Sequence, residues 1–159
     1  QAGENTIAAA GFEQYEVSAF SKPGHRCRHN LNYWQFGDYL GIGAGAHGKL
    51  SLPDGSVQRL AKKRQPEDYL GSGGKYTAST TLLTREDLIG EFMLNTLRLN
   101  EGFTTGLFHA TTGLELTSLE PELATLKKQA LLEVDDAHIR ATPTGRRFLN
   151  DVVAKFFPD

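Results

Sequence analysis

The stretch H-N-L-N-Y-W-Q-F-G-D-Y-L-G-I-G-A-G-A-H-G, from His29 to Gly48, sets two histidines and a group of aromatic rings beside a ladder of glycines. An ordinary hydrophobic core has no need of Asn30, Asn32, Tyr33 and Trp34 next to His29, so the composition points to a ligand site. Gly41, Gly43, Gly45 and Gly48 recur at intervals that strip side chains from one edge of an expected strand. A backbone freed in this way can approach a large flat or charged partner, or pack tightly against its own neighbours.

On the N-terminal side, Ala8-Ala9-Ala10 running into Gly11 reads as the end of a helix with a glycine C-cap, its beginning expected outside the chain. From Gln14 to Phe20, Tyr15, Val17 and Ala19 alternate with Glu16, Ser18 and Phe20, the period-two pattern of a strand, which Ser21-Lys22-Pro23-Gly24 breaks. Tyr39 to Gly43 reads as a second short strand, and Lys49 to Leu60 as a hairpin around Pro53-Asp54-Gly55. Pro66 opens a short helical turn, and Gly71-Ser72-Gly73-Gly74-Lys75 reads as a flexible connection.

Beyond it the period changes from two to 3.6. Thr84-Arg85-Glu86-Asp87 has the form of an N-terminal cap, and Leu88, Ile89, Phe92, Met93 and Leu97 fall at helical spacing before Gly102. A second short helix is expected from about Thr105 to Thr112, and a third after Ser118 with Leu119, Leu123 and Leu126 on one face. Leu131 to Val134 and His138 to Ala141, separated by Asp135-Asp136-Ala137, read as a small hairpin. Thr142-Pro143-Thr144-Gly145 then precedes one closing helix carrying Phe148, Leu149, Val152, Val153, Phe156 and Phe157, with Pro158 at its end. Three helices, a hairpin and a closing helix compose a winged-helix-like module, and there is no internal repeat.

The 159 residues suffice for one domain with a real core or for two small units, and 39% hydrophobic with 23% charged residues is ordinary for a soluble globular chain. A net charge of −2 gives no general pull toward nucleic acid or an anionic membrane. The single cysteine, Cys27, excludes an internal disulfide framework and fits a reducing cytoplasm. No long apolar run or signal-like N-terminus is present, which argues against membrane insertion.

Three motifs invite rival readings. Gly43-Ala44-Gly45-Ala46-His47-Gly48 formally satisfies the dinucleotide pattern G-x-G-x-x-G, but that fingerprint must enter a helix, and Leu50 to Gly55 reads as strand and turn. His25, Cys27 and His29 alternate on an expected extended segment, yet structural zinc usually takes four well-placed ligands, and this spacing is not a familiar one. The helix after Ser118 would be the reading helix of a DNA-binding module, but it sets Lys127 and Lys128 against Glu120 and Glu122, a poor match for phosphate. His29 by itself reads as a hydrogen-bonded, partly buried histidine or as an iron ligand.

Tyr15-Glu16-Val17-Ser18-Ala19-Phe20, then His29-Asn30-Leu31-Asn32-Tyr33-Trp34, then Gly41 to Gly48, together resemble the C-terminal part of the oxygen-independent coproporphyrinogen III oxidase family. More narrowly they are similar to its haem-chaperone, HemW-like branch, which shares an H-N-x-x-Y-W motif proposed to hold haem. The resemblance covers nearly the whole chain and implies an α+β fold: the last strands of a radical-SAM (S-adenosylmethionine) β/α partial TIM barrel over residues 1–75, then a winged-helix-like helical C-terminal domain over residues 76–159. It implies a fragment of a longer protein, lacking the catalytic half. One cysteine cannot supply a 4Fe–4S cluster, so no catalytic residue is expected here, and the isolated chain is not expected to be active.

The resemblance further implies a haem-binding set of His29, Asn30, Tyr33 and Trp34, with His29 as axial iron ligand and the two aromatics against the porphyrin. Asn32, Gly41, Gly43, Gly45, Ala46, His47 and Gly48 would contact SAM or tetrapyrrole, with His47 a second candidate ligand. The implied function is binding haem and handing it to an acceptor protein in the cytoplasm, beside the missing N-terminal half of the barrel, without nucleic acid or membrane insertion. The alternative is oxidative decarboxylation of coproporphyrinogen III to protoporphyrinogen IX. For the division itself, limited proteolysis is expected to cut first between Gly71 and Lys75; protection there with cleavage inside Leu88 to Leu97 would overturn it.

Overall fold

A computed structural model describes residues 2–135 and 137–158. Helix α1 (Ala2–Ala9) ends as expected at Gly11, whose φ of 80° is the left-handed conformation that a C-cap glycine supplies. The single strand expected over Gln14–Phe20 is instead a tight antiparallel pair, β1 (Glu13–Glu16) and β2 (Ala19–Ser21). The chain reverses because the buried Glu16 carboxylate accepts from the Ser18 backbone N–H at 3.0 Å and from its hydroxyl at 3.2 Å, fastening the turn from inside.

The histidine motif is helical. Residues Arg28–Trp34 form α2, where extended chain was expected around His29, because His29 and Tyr33 stand at i, i+4 and meet ring to ring. The helix ends in a Schellman turn: the Phe36 N–H donates to the Tyr33 carbonyl at 3.0 Å, and Gly37 to Asn32 at 2.7 Å. Phe36 itself takes φ 60°, unusual for a residue with a side chain, and its ring is buried.

Of the short strand expected over Tyr39–Gly43, only Tyr39 pairs, in an isolated bridge with Lys49. The remainder is a loop because Gly43 and Gly45 take φ of 104° and 70°, turning the chain back onto the end of the next hairpin. That hairpin is as expected, β3 (His47–Ser51) with β4 (Val57–Lys62) around the Pro53–Gly55 turn. After α3 (Pro66–Leu70) and the glycine turn, β5 (Thr77–Leu82) returns antiparallel to β4, giving the order β3-β4-β5. Residue 75 therefore sits in a turn between two strands of one sheet.

Helix α4 (Arg85–Thr96) opens on a capping box, with Thr84 and Asp87 each holding the other's backbone N–H. Then follow β6 (Phe103–Thr104), α5 (Thr105–Thr112), a 3-10 turn at Leu116–Leu119 and α6 (Glu122–Lys128), so the helix expected after Ser118 begins only past Pro121 and Leu119 lies in the turn before it. The hairpin β7 (Leu132–Val134) and β8 (His138–Ala141) forms as expected, although Asp136 in its turn lies outside the described residues. Strand β6, too short for an alternation signal, adds to β8 in the order β6-β8-β7. The one closing helix expected is two, α7 (Pro143–Arg147) and α8 (Leu149–Ala154), with a break at Phe148, whose φ of −113° leaves the helical region and whose ring is exposed.

Phe92 is the centre of the core. Fully buried on α4, it meets Phe36 at 5.6 Å, Phe103 at 4.9 Å and Phe108 at 5.1 Å between ring centroids, each edge to face. Leu119, Leu123 and Leu126 close the same core with Ile139, Val152 and Val153, and Val57 of β4 joins it from the sheet. Two residues earlier on α4, Gly90 gives room to Phe157: a Cβ there would lie 2.6 Å from the Phe157 ring. Phe92→Ala is expected to lower the unfolding free energy by about 3–5 kcal/mol, read from the denaturant midpoint at unchanged slope.

Candidate functional site

The exposed His29 begins a line of ring contacts. Its imidazole meets Tyr33 at 4.8 Å and 78°, and Tyr33 meets Tyr39 at 4.4 Å. The Tyr39 hydroxyl accepts from Arg59 Nη1 at 2.7 Å, and Arg59 Nε donates to Glu91 Oε2 at 2.8 Å. Burial alone would lower the Arg59 pKa, but the hydrogen bonds and charge of Glu91, with a smaller part from Tyr39, raise it above the ordinary value.

The other motif residues point to different neighbours. Asn30 Nδ2 donates to the Tyr15 hydroxyl at 3.3 Å, tying α2 to β1, and Asn32 Nδ2 donates to the Asp38 carbonyl at 2.9 Å, shaping the exit from the helix. The Trp34 ring is half-buried beneath the Arg98 guanidinium, 4.3 Å from its centroid, and Arg98 in turn pairs with Glu16. The buried Trp34 Nε1–H has no hydrogen-bond partner among the described residues.

The glycines lie differently from the strand edge expected. Gly41, Gly43 and Gly45 belong to the loop, and only Gly48 is in β3. Gly41 is required by close passage, since a Cβ there would stand 2.0 Å from the His47 carbonyl oxygen. The Gly43 N–H donates to the Tyr69 hydroxyl at 3.3 Å and the Gly45 N–H to the Lys63 carbonyl at 2.8 Å. Ala46 accepts from the Lys62 N–H at 2.8 Å, while His47 opens β3 with its side chain exposed. Ring line and glycine loop meet at Tyr39, whose backbone N–H and C=O both bond Lys49, at 3.0 Å each. Leu40 and Ile42 stand out from the loop into solvent.

Lys49 is the unexpected member. Its side chain is 2% exposed, its ammonium donates to Asp38 Oδ1 at 2.9 Å, and the nitrogen sits 4.2 Å from the centroid of the Phe36 ring. Asp38 also accepts from the Ser51 N–H at 2.8 Å and the Ser51 hydroxyl at 3.0 Å. Partial burial pushes the Asp38 pKa up, but these hydrogen bonds and the Lys49 charge together hold it below the ordinary carboxylate value.

No metal-holding group of three or more His, Cys, Asp or Glu side chains exists among the described residues. Cys27 is an exposed thiol at the N-cap of α2, and His25 turns to the Pro23 carbonyl at 2.9 Å, so His25, Cys27 and His29 do not converge. A 4Fe–4S cluster does not fit this chain, because one thiolate cannot hold it. Tyr39, Arg59, Glu91, Lys49 and Asp38 were not legible as site residues. Period two places Lys49 on one face with His47 and Ser51, the polar side of the strand, so the local pattern gives no sign of its burial.

Residues 83–148 match the family model of the HemN C-terminal domain. Over 157 residues, 99% of this chain, it is 40% identical to the haem chaperone HemW of Escherichia coli strain K12 and 36% identical to that of Haemophilus influenzae strain Rd. The solved structure of the radical SAM enzyme coproporphyrinogen III oxidase (HemN) from Escherichia coli shares the fold over 98% of this chain and 39% of its own, with a TM-score of 0.67 at 18% identity. The chain is thus similar to HemN-like proteins over residues 83–148 and shares the HemN fold, with mixed helix and strand content. The chain spans 41% and 40% of the length of the two HemW relatives named here.

Asp38→Asn is expected to destabilise the fold by about 3 kcal/mol, because it leaves the Lys49 charge buried and unpaired, whereas Lys49→Met should be close to neutral. A carboxylate whose folded pKa is depressed contributes stability above its unfolded pKa and loses it as pH falls through the folded value. The acid limb of the stability profile should therefore flatten in Asp38→Asn. Equal losses in the two variants, measured by urea unfolding between pH 3 and pH 7, would contradict the buried pair.

Proposed function

We propose that this chain is the haem-handling C-terminal part of a HemW-like chaperone, which binds haem as cargo and passes it to an acceptor protein. The identity of 40% to a haem chaperone along nearly the whole chain supports this most strongly. The exposure of His29, at the free end of a supported line of aromatic rings, agrees with it. A neutral imidazole can ligate haem iron axially, and we assign that role to His29. Tyr33 and Trp34 are porphyrin contacts and Asn30 a polar positioning group. Asn32, Gly41, Gly43, Gly45, Ala46, His47 and Gly48 form the loop side, toward SAM or the tetrapyrrole.

In the same reading, residues 1–75 are the end of a radical-SAM barrel and residues 76–159 a winged-helix-like domain that packs on it. The protein works in the cytoplasm. Among the described residues no helix is long and apolar enough to cross a membrane. A 4Fe–4S cluster would be held by residues outside this chain, which has one cysteine, with SAM reached from the loop side. The oxidase alternative has weaker support, since the likeness to HemN at 18% identity concerns the fold alone.

Haem titrated into the longer protein that carries this chain should give a Soret band that weakens or shifts in His29→Ala. His25→Ala should behave nearly as wild type. Tyr33→Ala and Trp34→Ala should lower affinity without abolishing ligation, each by a few kcal/mol at most, on the order expected for lost apolar contact. An unchanged spectrum and affinity in folded His29→Ala would remove His29 from the mechanism and make His47 the next suspect.

A further inference from the structure

We infer that the Arg59–Glu91 ion pair positions His29, acting through Tyr39 and Tyr33; this rests on haem being the ligand proposed above. Helix α2 has only seven residues and buries none of them, so its orientation depends on what its side chains meet: Asn30 and Trp34 hold one side against Tyr15 and Arg98, and the His29 side rests on Tyr33. The ring of Tyr33 that flanks His29 leans on Tyr39. Tyr39 is held at two ends: its backbone is paired with Lys49, and its hydroxyl is pinned by Arg59.

Arg59 is itself fully committed. Nε and Nη2 both reach Glu91 Oε2 while Nη1 reaches Tyr39, so the planar fork of the guanidinium is fixed by two partners on different elements. Glu91 stands on α4 next to Phe92, on a helix anchored by its capping box and by a buried face that includes Leu88, Phe92 and Met93. Four successive contacts thus run from the core helix to the exposed imidazole. Removing the carboxylate frees the fork, the fork frees the Tyr39 ring, and Tyr33 and His29 lose the surface that limits their rotation. Lysine at position 59 could not replace the arrangement, because an ammonium cannot present two parallel donors to a carboxylate and a third to a phenol in one plane.

The test is made on the longer protein loaded with ferric haem, reading the electron paramagnetic resonance line shape of the bound iron and the rate of haem loss to excess apomyoglobin. Glu91→Ala, Arg59→Lys and Tyr39→Phe should each broaden the signal and speed haem loss by about five- to tenfold, and the double variant Glu91→Ala/Tyr39→Phe should be no worse than either single, because both break one line. Glu133→Gln, which breaks the exposed Arg140–Glu133 pair away from this line, should change neither. Tyr39→Phe keeps the ring and removes only the hydroxyl, so it carries the test if Glu91→Ala loses its fold. If His29→Ala leaves the iron signal unaltered, the haem ligand is misassigned. If His29→Ala abolishes it while folded Tyr39→Phe and Glu91→Ala match wild type, or if their effects multiply, the positioning line alone is overturned.

Discussion

A lysine ammonium sealed inside the sheet governs the geometry of the site. Desolvating Lys49 is costly, and the cost is offset because Asp38 meets it on one side and the face of Phe36 on another. Both partners come from the turn that ends α2, so satisfying one charge docks the whole helix exit onto β3. Phe36 takes a left-handed backbone, unfavourable by about 1–2 kcal/mol for a residue with a Cβ, and the cost is offset by a ring that lies under the ammonium and against Phe92 at once. The position of His29 is a consequence of these constraints, seven residues upstream of the residue that obeys them.

The helix α4 is the second support, and it lies inside the matched domain of residues 83–148, whereas every motif residue lies before it. Phe92 reaches Phe36, Glu91 reaches Arg59, and Arg98 just past the helix covers Trp34. The two parts of the chain are therefore mechanically one at the place where the motif sits. Arg98 also holds the Glu16 carboxylate, which reverses the chain between β1 and β2.

Elements whose signals are local were legible in the sequence. The cap at Thr84, the helix over Thr105–Thr112, the Pro53–Gly55 hairpin and the buried stripe of Leu119, Leu123 and Leu126 each announce themselves within a few residues. Where a distant residue decides, local reading failed. Nothing in Gln14–Phe20 reveals that Arg98 waits for Glu16, and the spacing of His25, Cys27 and His29 looks extended until the Tyr33 ring draws His29 into a helical turn. The closing helix breaks at Phe148, against a continuous apolar periodicity that favoured one rod. In the site, the histidine and aromatics were visible as types, but the Lys49–Asp38 and Arg59–Glu91 pairs are tertiary facts with no sequence period.

The socket at Gly90 bears on how such a chain can vary over time. Because the Phe157 ring occupies the space a side chain at 90 would need, the two positions form a single joint character. A side chain at 90 requires the Phe157 ring either to become smaller or to swing out toward the solvent that it already meets. The two positions are therefore coupled, and a larger residue at 90 beside phenylalanine at 157 should be less common than either alone.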